Sequence, residues 1–94
     1  LPVSEKPIMA FAFVEKEGVA KFSARTTEAV VQKGVNLGEV MRLASEKVGG
    51  KGGGHNIAAG AQAPQDQVDN FIRIADDLVG KQLRGEKVGS NDNT

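Results

Sequence analysis

Apolar positions along the chain fall into short runs separated by turns. Ile8 to Val14 is continuously apolar, Glu15-Lys16-Glu17-Gly18 reads as a turn, and Val19 to Arg25 alternates in character, so the first quarter predicts a β-hairpin. In the second strand the two-residue period puts Ala20, Phe22 and Ala24 on one face and Val19, Lys21, Ser23 and Arg25 on the other. Thr26 or Thr27 is suited to cap a brief helix through Val30–Lys33, and Gly34 to stop it. Asn36 then starts a longer helix, with Glu39 as the reciprocal partner of a capping box, and Leu37, Val40, Met41, Ala44 and Val48 form its apolar stripe. Gly49-Gly50 ends that helix. A glycine-rich loop follows, then a strand near Ile57 to Ala63. Pro64-Gln65-Asp66 opens a final helix whose face is Val68, Phe71, Ile72, Ala75, Leu78 and Val79. The predicted order is β-β-α-α-β-α, an α+β domain in which helices cover a small sheet in two layers and leave its other face free to meet another domain.

The chain has 94 residues, enough for one small domain. Residues 8–84 are expected to form it, with residues 1–7 as a linker into it and residues 85–94 as a flexible tail; a linker at the start suggests a segment of something longer. There is no cysteine, which excludes thiolate metal sites and suits a reducing cytoplasm, the expected location. No apolar run is long enough to cross a membrane, so no membrane partner is expected. Twelve basic and twelve acidic residues cancel, which argues against gripping nucleic acid by bulk charge alone. Their distribution is uneven. Every aspartate lies at or after Asp66, whereas Arg25, Arg42, Lys47, Lys51 and His55 come earlier, tempered by Glu39 and Glu46.

Gly52-Gly53-Gly54-His55 joins three glycines to the chain's single histidine, before the small-residue run Ile57-Ala58-Ala59-Gly60-Ala61. Glycine permits unusual backbone angles and close approach, so N–H groups there could converge on an anion, with His55 at the lip. Arg25 adds a planar guanidinium able to grip a phosphate with two parallel hydrogen bonds. The segment is neither a Walker loop, since Gly52 follows Lys51, nor a GxGxxG fingerprint. Metal-dependent phosphodiester hydrolysis needs several carboxylates and imidazoles. One histidine and late aspartates do not supply them, and Ser23, Ser45 and Ser90 sit in no nucleophile-elbow context. The residues therefore describe binding rather than turnover. Competing explanations are plain ones: a tight connection, a surface histidine, an arginine reaching solvent, and Lys47 and Lys51 favouring a helix C-terminus.

The stretch Gly52-Gly53-Gly54-His55-Asn56-Ile57-Ala58-Ala59-Gly60 resembles the GGGHxxAAG signature of the DHH-associated domain, the C-terminal partner of the catalytic domain in DHH phosphoesterases. Ser23-Ala24-Arg25 resembles that family's S-x-R strand end, and Val35-Asn36-Leu37-Gly38-Glu39-Val40 its helix start. The longer loop Val48-Gly49-Gly50-Lys51 is similar to archaeal RecJ-like single-strand exonucleases. By that resemblance Gly52, Gly53, Gly54 and His55 would contact a phosphate or terminal nucleotide, and Arg25 would clamp a neighbouring phosphate. The DHH sequence itself is absent. The resemblance thus implies a substrate-binding domain, not catalytic alone and holding no cofactor, that serves a separate DHH domain of the same chain carrying manganese or magnesium. Single-stranded nucleic acid or a nucleotide is the implied partner.

Three rivals stand beside this reading. The domain could serve a phosphoesterase acting on dinucleotides, cyclic dinucleotides or other small nucleotides, or could be a non-enzymatic assembly module offering its free sheet face. A C-terminal region of alanyl-tRNA synthetase, which carries a related domain, ranks last because no basic surface suited to RNA is evident in the sequence.

Overall fold

The computed structural model describes residues 18–86. The predicted strand 8–14, most of the turn before β1, the linker 1–7 and tail positions 87–94 lie outside the described residues. Strand β1 is Val19–Arg25, and its alternation is realised: Ala20, Phe22 and Ala24 are buried while Lys21, Ser23 and Arg25 are exposed. Thr27, not Thr26, caps the short helix α1, Glu28–Gln32, by accepting a hydrogen bond from Val30 N at 3.3 Å. Gly34 follows it with φ +118°, a conformation glycine adopts without steric cost.

Helix α2 is Leu37–Lys47, and all five residues of its predicted stripe are buried. Asn36 Oδ1 accepts from Glu39 N at 3.1 Å, the forward half of a capping box. The reciprocal half departs from expectation. The backbone N–H of Asn36 donates to Gln82 Oε1 at 2.9 Å, and Gln82 Nε2 donates to Asn36 O at 3.2 Å and Glu39 Oε1 at 3.4 Å. A buried glutamine from the last helix thus completes the cap that Glu39 was expected to close. At the other end Gly50 N donates to Ser45 O at 2.7 Å and Gly49 N to Glu46 O at 3.3 Å, with Gly49 at φ +82°, a Schellman termination.

The glycine segment differs most from its sequence reading. Lys51–Gly54 is a strand, β2, rather than a loop, and it pairs antiparallel with β3, Ala58–Pro64. β3 also pairs antiparallel with β1, so the three-stranded sheet has the order β1-β3-β2. A 3₁₀ turn, Gln65–Gln67, leads into helix α3, Val68–Leu83. The described order is β-α-α-β-β-α.

The result is an α+β domain in two layers. The inner face of the sheet presents Ala20, Phe22, Ala24, Ala61 and Ala63 to Leu37, Val40, Met41 and Ala44 of α2 and to Phe71, Ala75, Leu78 and Val79 of α3, all in one buried cluster. Phe22 and Phe71 stack with ring centroids 4.1 Å apart, tying β1 to α3. β3 contributes only small residues, and that lets α2 approach the sheet closely.

Candidate functional site

Register brings the predicted residues to one end of the sheet. Arg25, the last residue of β1, stands opposite Ala58, the first residue of β3. On the other side of β3, His55 N donates to Ala58 O at 2.8 Å. Arg25 and His55 therefore flank Ala58, their backbones two strand spacings or about 10 Å apart, and both side chains are exposed. The connection between them is braced from two directions. Thr26 N donates to Ile57 O and Leu37 N to Asn56 O, each at 3.0 Å, so the end of β1 and the start of α2 hold the β2–β3 tip in place. Thr26 Oγ1 is buried at this end with no hydrogen-bond partner.

In an extended strand successive N–H groups point to opposite sides, so Gly52, Gly53 and Gly54 do not converge as a nest would. Hydrogen-bonded and non-bonded pairs alternate along an antiparallel ladder. With His55 bonded to Ala58, the alternation makes Gly53–Gly60 and Lys51–Gln62 the bonded pairs, so the N–H groups of Gly52 and Gly54 point away from β3.

Three of the four glycines at this strand have a steric reason and one does not. A Cβ on Gly52 would lie 2.6 Å from Met41 O and 2.9 Å from both Ala61 Cβ and Ser45 Oγ, so Gly52 faces inward and lets β2 rest on the backbone of α2. Gly38 does the same from the helix side, where a Cβ would lie 2.6 Å from Gly54 O. Gly54 itself has φ +147° and would clash with Ala59. Gly53 has nothing within 4 Å and faces outward.

Of the other outward residues, sequence reasoning placed only Gly53 in the site. Lys21, Gln62 and Lys51 form one cross-strand row, and Ser23, Gly60 and Gly53 the next row toward Arg25. The alternation of β1 already paired Lys21 with Arg25, but Gln62 and Lys51 join them only through register. Among the described residues no group of three His, Cys, Asp or Glu side chains is placed to hold a metal ion. No helix among them is long and apolar enough to cross a membrane.

A family model described as the DHHA1 domain matches residues 2–81. The chain belongs to the DHHA1 domain family. Among curated proteins, this DHHA1 domain is 42% identical over 82 residues to an uncharacterized protein of Methanocaldococcus jannaschii, covering 87% of this chain and 18% of that protein. It is 30% identical over 89 residues to an alanine–tRNA ligase of Leptospira borgpetersenii, covering 94% and 10%. With the alanine–tRNA ligase of Corynebacterium jeikeium the identity is 43% over 78 residues, covering 74% and 9%. The chain spans less than a fifth of the length of these relatives. Its fold is similar to the C-Ala domain of Aquifex aeolicus alanyl-tRNA synthetase, with a TM-score of 0.55 and 23% identity over 73% of this chain and 60% of that one.

Proposed function

We propose that this DHHA1 domain binds single-stranded nucleic acid or a nucleotide through its phosphates and presents it to catalytic machinery on another domain of its parent protein. The observation that carries the reading is the meeting of Arg25 and His55 at one exposed end of the sheet, on either side of Ala58. Arg25 takes a phosphate with paired guanidinium donors, and His55 donates from its ring to a neighbouring oxygen. The edge N–H groups of Gly52 and Gly54 add fixed donors, and Gly53 keeps the outer surface bare so that a ligand can approach the main chain. Because bracing at Thr26 and Leu37 fixes the tip beforehand, little ordering is left for the moment of binding.

Hydrolysis, where the parent performs it, belongs to a separate metal-bearing domain of the DHH type, and a RecJ-like single-strand exonuclease is the parent that the sequence motif favours. A second reading is favoured by the relatives: an RNA-binding domain of the kind found in alanine–tRNA ligases. Lys21, Arg25 and Lys51 on the outer face answer the objection that no basic surface exists.

Fluorescence anisotropy at low salt tests the core of both. The chain is titrated against a labelled 12-nucleotide single strand, as DNA and as RNA, and against a dinucleotide. A charge-assisted hydrogen bond contributes about 1.5–3 kcal/mol, so Arg25→Ala should weaken binding on the order of 10- to 100-fold, and His55→Ala by less. Equal binding by wild type and both variants would overturn the site. Preference for the RNA strand supports the ligase-type reading, and equal affinity for dinucleotide and 12-mer supports a small-nucleotide parent.

A further inference from the structure

We infer that the outer face of the sheet is a track for the sugar–phosphate backbone of a single strand, running from the Arg25–His55 end across Ser23, Gly60 and Gly53 to the Lys21–Gln62–Lys51 row. This rests on the phosphate reading of the Arg25 end and extends it to residues that the GGGHxxAAG resemblance does not include.

Charge and shape agree on this face. The three strands carry Lys21, Arg25 and Lys51 and no Asp or Glu, although the whole chain is formally neutral. All three cations are exposed, and among the described residues none is in an ion pair with a carboxylate; the ion pairs there join Arg42 to Glu46, Lys81 to Asp77 and Arg84 to Glu86. Lys21 and Lys51 flank Gln62 at two strand spacings, about 10 Å, and Lys21 stands four residues or about 13 Å from Arg25. Between these cations the surface sinks into a shallow depression lined by Lys21, Lys51, Gly60 and Gln62. Its floor is low where Gly60 has no side chain, and the adjoining row of Ser23, Gly60 and Gly53 is built of small residues.

A strip about 10 Å wide, with Lys21 and Lys51 on its margins and a floor of small residues up to Gln62, fits one backbone lying lengthwise. It offers no helix or ribbon to enter a duplex groove. Among the described residues no aromatic side chain lies on the outer face, so these strands give bases no stacking platform and binding is predicted to be weak, salt-sensitive and indifferent to sequence.

Salt titration and ligand length test the track together. For single strands the affinity falls with salt at a log–log slope of about −0.7 per neutralised phosphate. Lys21→Ala/Lys51→Ala should therefore make the slope for a 12-nucleotide thymidine oligomer shallower by about 1.4 and weaken its binding at low salt about tenfold. The dinucleotide, held at the Arg25 end, should change less than about twofold. Arg73→Ala/Lys81→Ala removes the same charge from α3 and should leave the slope unchanged. An unchanged slope and affinity in the Lys21/Lys51 variant, with Arg25→Ala still impaired, overturns the track alone. If the wild-type chain binds neither ligand, the phosphate reading falls and takes the track with it. Tighter binding of a 12-base-pair duplex than of the single strand also overturns it.

Discussion

Gly52 and Gly53 are neighbours in one strand, yet alanine at the two positions should have unlike effects. Neither has a positive φ, so an added methyl meets no backbone strain and its surroundings decide. At Gly52 the new Cβ would lie 2.6 Å from Met41 O, where ordinary contact begins at 3.4 Å, so β2 and α2 must part by about 0.8 Å. Both contacting segments are main chain or core, and neither can rotate aside. Overpacking of this kind costs about 1–3 kcal/mol. Reduced freedom of the unfolded chain returns about 0.4–1 kcal/mol, too little to reverse the sign. At about 4–8 °C per kcal/mol for a domain of this size, a net loss of about 1.5 kcal/mol lowers the melting temperature by about 6–12 °C. Gly53→Ala, with nothing within 4 Å, should stay within about 0.5 kcal/mol of wild type or gain slightly. Thermal denaturation followed by circular dichroism reads both. If Gly53→Ala melts as low as Gly52→Ala, or Gly52→Ala melts with wild type, the close backbone packing of β2 on α2 is wrong.

Two further outcomes are expected. Gln82→Leu removes three hydrogen bonds around Asn36 and Glu39 and leaves the Asn36 N–H without its partner, so urea denaturation should show a loss of about 2–3 kcal/mol. A loss below about 0.5 kcal/mol would mean that the α2–α3 cap carries no weight. The Arg84–Glu86 pair, 2.7 Å apart, holds the Glu86 carboxyl below its ordinary range, chiefly through the hydrogen bond from Arg84. A carboxylate whose value is lowered by folding stabilises the fold above its unfolded value, and that contribution is lost as pH falls through the lowered one. An NMR titration of the Glu86 carboxyl should therefore show a midpoint that rises in Arg84→Ala; no rise would mean that the pair does not form.

Periodicity made much of this fold legible. The buried trio of β1, the stripe of α2, the Asn36 cap and the Gly49 stop follow local rules that need no partner to be seen. What stayed hidden depends on distant partners. Lys51–Gly54 has almost no intrinsic preference for a strand, and it becomes one because Gly38 and Met41 lie beneath it and β3 beside it. Gln82 continues the α3 stripe three positions after Val79, but a glutamine there reads as surface until Asn36 is seen to need an acceptor. The candidate site was legible in identity and not in arrangement. Motif residues named Arg25, His55 and the glycines, whereas the placing of Arg25 across Ala58 from His55, and of Lys51 in line with Lys21, comes from register, which small residues alone do not specify.

The division of labour among the glycines constrains where any ligand can sit. Gly38, Gly50, Gly52 and Gly54 are each filled against by the protein's own atoms, so the helix side of β2 offers no room for a phosphate. Of the three consecutive glycines only Gly53 is bare, and it faces the side that carries Lys21, Arg25 and Lys51. A ligand that reaches Gly53 must therefore come across that face, where the three cations stand. The motif thus serves two ends: Gly52 seats the strand on the helix and Gly54 fits against β3, while Gly53 leaves an outer surface that the charges can use.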